Sequence, residues 1–124
     1  MITIGTDIVD VARVRDKHDA ILSRVLTARE QAYCQTQADP PQHMAGRFAA
    51  KEAVFKALHA PSPSGISWLD IDVHNDAHGV PHATLFGAAA AFATQQGLRG
   101  LYISIAHVRD FATATAVCEW PDKT

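Results

Sequence analysis

The chain of 124 residues is 48% hydrophobic and 19% charged, with a formal net charge of −2. This fits a single globular domain, residues 1–124, and gives no reason to expect a nucleic-acid or membrane-surface partner. No apolar run approaches membrane-spanning length, and the chain does not start with a secretory-signal pattern. Cys34 and Cys118 are too few for a disulfide framework and are not spaced as zinc ligands, so we expect a cytoplasmic protein.

A short strand and a helix are predicted at the start of the chain. Residues 2–8 form the strand, and Asp10 suits the N-cap of a helix from Val11 to about residue 24. One side of this helix carries basic residues beside an apolar face. Such a stripe is either a solvated surface or a docking site for an acidic helix of a partner protein. The basic residues are Arg13, Lys17 and Arg24.

Two more helices are predicted before residue 60. Thr27-Ala28-Arg29-Glu30 has the pattern of a capping box, which starts a helix, and Pro40 and Pro41 end it. The longest helix follows over residues 42–59. Apolar residues occupy both of its sides, which indicates a helix buried between two layers.

The second half of the chain predicts mostly strands. Residues 60–65 are a loop, and in the following strand Asp70, Asp72 and His74 are expected on the polar face. The last strand places alanines and Cys118 on one face, so a helix can pack closely there. Together the elements predict an α+β fold with a mostly antiparallel sheet and a long buried helix. The predicted elements are strands over residues 68–74, 80–86, 101–106 and 111–119, and a helix over residues 87–97.

Asp7 and Glu52 are the first candidates for chemistry. Asp7 closes an apolar strand, and Glu52 lies on the long helix with Lys56 one turn later. Each has an ordinary explanation: a turn or capping acid for Asp7, and a helix salt bridge with Lys56 for Glu52. The alternative is a Mg²⁺ site, because Mg²⁺ prefers one or two protein carboxylates together with waters and substrate phosphates.

Two further residues fit an anionic ligand. Lys51 falls within the apolar arc of the long helix, where its ammonium either reaches the surface or meets an anion. His107 follows the predicted strand over residues 101–106 and is placed to contact a phosphate, although a plain surface histidine is the simpler alternative.

Three segments together carry a family resemblance. They are Gly5-Thr6-Asp7-Ile8-Val9-Asp10-Val11-Ala12-Arg13, Gly46-Arg47-Phe48-Ala49-Ala50-Lys51-Glu52-Ala53-Val54-Phe55-Lys56 and Ser104-Ile105-Ala106-His107. In this order and spacing they resemble the holo-acyl-carrier-protein synthases, which are small 4′-phosphopantetheinyl transferases. Asn75-Asp76 with Gly79 and Pro81 is also similar to the hairpin of that family. The resemblance covers nearly the whole chain.

The resemblance implies an activity and a set of site residues. The enzyme would move 4′-phosphopantetheine from coenzyme A to a serine of an apo acyl carrier protein, release adenosine 3′,5′-bisphosphate, and serve fatty acid or related biosynthesis. Asp7 and Glu52 would hold Mg²⁺ and, with Lys56, form the catalytic set. Lys51, Lys56 and His107 would contact coenzyme A. Arg13, with Lys17 and Arg24, would bind the carrier protein, and three chains would form a homotrimer with sites between neighbouring subunits.

Two departures from the family pattern keep an alternative function open. Ala106 replaces the hydroxyl residue that usually precedes the histidine, and residues 59–64 replace a glycine-rich segment. Both changes fall where the family contacts the coenzyme. The alternative is a non-catalytic trimeric module that binds carrier protein or coenzyme A without turnover.

Overall fold

The longest helix, Pro40–Leu58, packs across one face of a three-stranded antiparallel sheet, which confirms the α+β fold with a long buried helix. The computed structural model describes residues 1–122, with the backbone alone for residues 18 and 21, and residues 123 and 124 of the expected domain lie outside it. Within residues 1–122, no helix is both long and apolar enough to cross a membrane. The elements are β1 (Ile2–Asp10), α1 (Val11–Asp16), α2 (His18–Arg24), α3 (Ala28–Gln35), α4 (Pro40–Leu58), a 3₁₀ turn (Trp68–Asp70), β2 (Ile71–Asn75), β3 (Pro81–Leu85), α5 (Gly87–Gln96), β4 (Gly100–His107) and β5 (Phe111–Glu119).

The strands form two sheets, of order β1–β5–β4 and β2–β3. β5 is the central strand of the larger sheet, and all its pairings are antiparallel. Ala114 of β5 lies between Asp7 of β1 and Ile105 of β4. Because side chains alternate between the faces of a strand, Asp7 and His107 both belong to the face that α4 covers. They stand on opposite edge strands, with the central strand between them.

Small side chains allow α4 to lie close to this sheet. The predicted alternation of β5 is confirmed, because Ala112, Ala114, Ala116 and Cys118 are all at most 2% exposed. On β1, a Cβ built on Gly5 would lie 2.0 Å from the backbone oxygen of Ala53 in α4. The backbone of β1 therefore touches the backbone of the helix at this position.

Two helix boundaries differ from the sequence prediction. The first helix is broken at Lys17, whose φ of −113° and ψ of 27° leave the helical region, so α1 and α2 are separate. No apolar side chain between Val14 and Ala20 is available to hold one continuous helix on the core. Pro40 and Pro41 start α4 instead of ending α3, because proline is well tolerated in the first helical turn, where the free amide needs no partner. The capping box of Thr27 and Glu30 is confirmed.

The strand predicted over residues 68–74 begins later, at Ile71. Ser67 and Asp70 form a capping box around a 3₁₀ turn, which uses the first part of the predicted strand. Asp72, expected on the polar face, is only 4% exposed. Its carboxylate accepts hydrogen bonds from Thr27 Oγ1 at 2.6 Å and from Arg29. A buried acid with these partners ties α3 to the β2–β3 hairpin.

We predict that Gly5→Ala destabilises the protein by more than about 3 kcal/mol, because the added methyl group would overlap the backbone of α4 and cannot be relieved by a side-chain rotation. The measurement is the free energy of unfolding from urea denaturation. Gly46→Ala is the matched control: its Cβ meets only the Ile105 Cγ2 methyl at 3.2 Å, and alanine favours the helix, so we expect a change within about 1 kcal/mol. Equal stability of Gly5→Ala and the wild type would contradict this close packing.

Candidate functional site

Asp7 and Glu52 line the same cleft, between β1 and one side of α4. The cleft has a volume of about 350 Å³ and is also lined by Phe48 and by Arg13 and Lys17 of the first helix region. We call it the acid cleft. Strand β1 supplies Asp7 from its middle, and α4 supplies Glu52 from its edge, so two elements that touch each other hold the acids in place.

Lys56 directs its ammonium to β1. Its Nζ donates to Asp7 Oδ1 at 3.0 Å and to the carbonyl oxygen of Thr6 at 3.0 Å. The side chain of Lys56 is half exposed, while that of Asp7 is only 19% exposed. The lysine therefore fixes the Asp7 carboxylate and still presents positive charge at the cleft.

The two acids influence each other electrostatically. Partial burial and the nearby negative charge of Asp7 raise the pKa of Glu52, and Lys56 opposes this shift. A divalent cation would offset the negative charge of Asp7 that disfavours ionisation of Glu52. Among the described side chains, which leave out those of residues 18 and 21, no group of three or more His, Cys, Asp or Glu could hold a metal. Mg²⁺ usually keeps several water ligands and takes only one or two carboxylates from the protein. A pair of carboxylates with space for further oxygen ligands fits that preference better than it fits a metal whose ligands all come from the protein.

The predicted basic stripe is only partly assembled. Arg13 and Lys17 line the acid cleft, whereas Arg24 belongs to α2, beyond the break at Lys17, and does not line it. The expectation of three basic residues along one helix is therefore wrong. Arg13 and Lys17 are exposed and, like Lys56, lie close to the acids.

The structure does not place Lys51 at a ligand site. Its side chain is fully buried, and Nζ donates to Glu30 Oε1 at 2.6 Å and to the carbonyl oxygen of Ile71 at 2.6 Å. Burial lowers the pKa of Lys51, and the charge of Glu30 opposes this shift. An ammonium with no exposed surface and two internal partners cannot contact coenzyme A, so this predicted contact is corrected to a structural ion pair.

His107 lines a second, smaller pocket of about 170 Å³, on the β4 side of α4. Arg47 of α4 lies at this pocket, with its guanidinium carbon 4.2 Å from the centre of the Tyr33 ring. Arg47 Nη2 donates to Asn75 Oδ1 at 3.1 Å, and Asn75 Nδ2 donates to the Tyr33 hydroxyl at 3.2 Å. We call this the arginine pocket.

The arginine pocket has the chemistry of an anion site. Arg47 is only 5% exposed, and its buried Nε has no hydrogen-bond partner within the described residues. A guanidinium in the wall of a pocket that also contains a histidine favours an anion such as a phosphate.

The acid cleft and the arginine pocket share no lining residue. His43 of the pocket and Glu52 of the cleft are about 13 Å apart along the axis of α4, at 1.5 Å per residue. One chain therefore contains two separate pockets along one helix.

Arg47, Tyr33 and Asn75 were missed as site residues by the sequence analysis. Arg47 lies four residues before Lys51, so helical spacing puts both on the same face of α4. The sequence did contain a signal for Arg47: it is a second long basic side chain, besides Lys51, on an apolar face of the helix. Tyr33 had no comparable signal, because its contact with Arg47 depends on how α3 packs against α4.

Comparison with known proteins gives a consistent match. The family model described as the 4′-phosphopantetheinyl transferase superfamily matches residues 3–116. The holo-[acyl-carrier-protein] synthase of Protochlamydia amoebophila is 43% identical over 119 residues, covering 92% of this chain and 94% of that protein.

Solved structures agree with this match. The holo-[acyl-carrier-protein] synthase of Neisseria meningitidis superimposes with a TM-score of 0.85 at 32% identity, over 96% of this chain and 99% of that one. The synthase of Bacillus anthracis, in complex with CoA (3′,5′-ADP), has a TM-score of 0.79 at 31% identity, over 96% of each chain.

We predict that Lys51→Met destabilises the protein by about 3–5 kcal/mol, because it leaves the Glu30 carboxylate buried without its cation. Thermal and urea unfolding measure this change. Lys56→Met is the matched control: the same substitution at a half-exposed ion pair is expected to cost at most about 1 kcal/mol. Similar losses in the two variants would contradict the structural role given to Lys51.

Proposed function

The chain belongs to the 4′-phosphopantetheinyl transferase superfamily, and we propose that it transfers 4′-phosphopantetheine from coenzyme A to a serine of an apo acyl carrier protein. The observation that carries this proposal is the acid cleft, where Asp7 and Glu52 lie beside Lys56, Arg13 and Lys17. In the reaction the serine oxygen forms a bond to the β-phosphorus of coenzyme A. The bond from that phosphorus to the bridging oxygen breaks, and adenosine 3′,5′-bisphosphate leaves.

Asp7 and Glu52 are the residues that we propose to hold Mg²⁺. When bound there, the cation would neutralise the charge of the pyrophosphate that is being cleaved. Lys56 orients the Asp7 carboxylate through its 3.0 Å hydrogen bond and adds positive charge beside it. Glu52, which lines the same cleft, is the group that we propose to accept the proton of the serine hydroxyl.

The arginine pocket is the site that we propose for the nucleotide end of coenzyme A. Its Arg47 guanidinium, together with His107, favours a phosphate group. The complex of the Bacillus anthracis relative with CoA (3′,5′-ADP) supports coenzyme A as the donor. Ala106 is exposed on the open side of β4 and does not line this pocket, so its departure from the family pattern leaves the pocket intact.

Arg13 and Lys17 are placed to receive the carrier protein. They border the acid cleft and are exposed, so an acidic surface that docks on them would bring its serine to the acids. Arg24, on α2, would extend this contact beyond the cleft. The carrier of fatty acid biosynthesis is the partner that we propose.

The free, buried thiols of Cys34 and Cys118 fit a reducing compartment, and we place the reaction in the cytoplasm.

A homotrimer is the assembly that we propose, with each site formed between neighbouring chains. The face of the larger sheet turned away from α4 is open, and it exposes a row in which Ile4, Val117 and Tyr102 lie side by side. Ile4 and Tyr102 are each 60% exposed and Ile8 is 63% exposed. Monomeric proteins rarely expose so many neighbouring apolar groups. In this assembly we propose that each complete site combines the acid cleft of one chain with the arginine pocket of a neighbouring chain.

We predict that the protein, incubated with coenzyme A, Mg²⁺ and an apo carrier, increases the mass of the carrier by one phosphopantetheine, and that Glu52→Gln abolishes this increase. The amide cannot replace a carboxylate as an anionic ligand or proton acceptor. Mass spectrometry of the carrier is the measurement, and circular dichroism checks the fold of the variant. Asp122→Asn, a carboxylate-to-amide change at a 91% exposed side chain, is the control and should retain full activity.

Undiminished transfer by Glu52→Gln would contradict the role of Glu52. Absence of transfer by the wild type to carriers of the fatty acid, polyketide and peptide classes, with coenzyme A still bound, would favour the non-catalytic module.

We predict that Ile4→Lys shifts the molar mass of the protein, measured by light scattering after gel filtration, from three chains to one. The charge would have to be buried without a partner in the proposed interface. Phe86→Lys is the control, since Phe86 is 52% exposed but lies outside the larger sheet, and it should remain trimeric. A monomeric wild type would contradict the assembly.

A further inference from the structure

His43 is a second histidine of the arginine pocket. It lies in the first turn of α4 and lines the pocket together with His107. The centres of the two imidazole rings are 5.1 Å apart, in an edge-to-face arrangement. The His43 ring also meets Tyr33 edge-to-face, at 5.9 Å. Its position is therefore set by contacts with α3 and β4, and it forms part of the pocket wall.

Several charged or titratable groups surround His43. Arg47 and His107 face it from α4 and β4, Tyr33 faces it from α3, and Asp39 precedes α4. The Asp39 carboxylate is already paired with Arg15, through two hydrogen bonds of 3.0 Å. Partial burial, His107 and Arg47 lower the pKa of His43, and Asp39 opposes them. Without a ligand, the imidazole is therefore held in its neutral form around pH 7.

We propose that His43 is a further binding residue for the phosphate-bearing end of coenzyme A, and that it takes up a proton when this anion enters the arginine pocket. The inference rests on the proposed function, which places coenzyme A in this pocket. The anion reverses the local electrostatics: the same site that disfavours an imidazolium next to Arg47 favours it once a phosphate carries negative charge there. The protonated ring then donates a charge-assisted hydrogen bond to the phosphate.

The sign of the pH dependence follows from this order of pKa values. The pKa of His43 is lowered in the free protein. The proposal requires that it be higher in the complex, where a phosphate lies beside the ring. Binding therefore takes up a proton between these two values, and the affinity rises as the pH falls through that interval. Below the pKa of the free protein the ring is protonated in both states, and the contribution of His43 is constant.

Isothermal titration calorimetry with coenzyme A, without carrier protein, tests the inference. Measurements at pH 7 in two buffers of different ionisation enthalpy, neither of them phosphate, give the number of protons taken up on binding. We expect His43→Phe, which keeps an aromatic ring against Tyr33 and His107, to take up fewer protons than the wild type. At pH 6 we expect it to bind about tenfold more weakly, the effect of one charge-assisted hydrogen bond, and at pH 8 the difference should shrink.

His78→Phe is the matched control, because His78 lies exposed in the β2–β3 turn and does not line the pocket. It should keep both the proton uptake and the affinity of the wild type. If His43→Phe binds coenzyme A with wild-type proton uptake and pH dependence, the role of His43 is overturned while the proposed function stands. If the wild type does not bind coenzyme A, the proposed function fails, and the inference fails with it.

Discussion

The buried ion pair between Lys51 and Glu30 is the interaction on which the arrangement of the arginine pocket depends. Glu30 Oε1 accepts from Lys51 Nζ at 2.6 Å, and its Oε2 accepts from the backbone amide of Val73 at 2.7 Å. Lys51 in turn donates to the carbonyl oxygen of Ile71. One pair of side chains thus joins α3, α4 and β2. A buried ion pair adds little net stability compared with apolar packing. Its hydrogen bonds form in only one geometry, however, and therefore hold the three elements in one relative arrangement. The same three elements carry Tyr33, Arg47 and Asn75, each within about one turn or two strand residues of the pair, so the pair sets their relative positions.

The helix α4 organises the rest of the molecule by what its faces contact. Its alanines lie against β5 and β1, and the approach is close because Gly5 has no side chain. One side of the helix brings Glu52 to Asp7, and the other brings Arg47 and His43 to His107. The hydrophobic core, the acid cleft and the arginine pocket are therefore consequences of one packing arrangement. A change that rotates α4 on the sheet would disturb the cleft and the pocket together.

The sequence predicted those features that depend on neighbours along the chain. The capping box at Thr27, the alternation of β5 and the pairing of β2 with β3 were all readable, because each depends on local spacing. Lys51 was correctly singled out as unusual, but its partner Glu30 is 21 residues away and on another helix, so its role was not accessible. The same reason hid the burial of Asp72. For the acid cleft, the residues were identified from type and spacing, whereas the bond from Lys56 to β1 required the fold.

The separation of the acid cleft from the arginine pocket has a consequence for how the protein would work in solution. In the proposed trimer, the arginine pocket of one chain meets the acid cleft of the next. A single chain would then contain no complete active site. Specific activity would then follow the law of mass action and fall when the protein is diluted below its dissociation constant. Two inactive chains, one damaged at Glu52 and the other at Arg47, would complement each other when mixed, because one of the interfaces they form carries both intact halves. Cellular abundance, as well as substrate supply, would then set the output of this reaction.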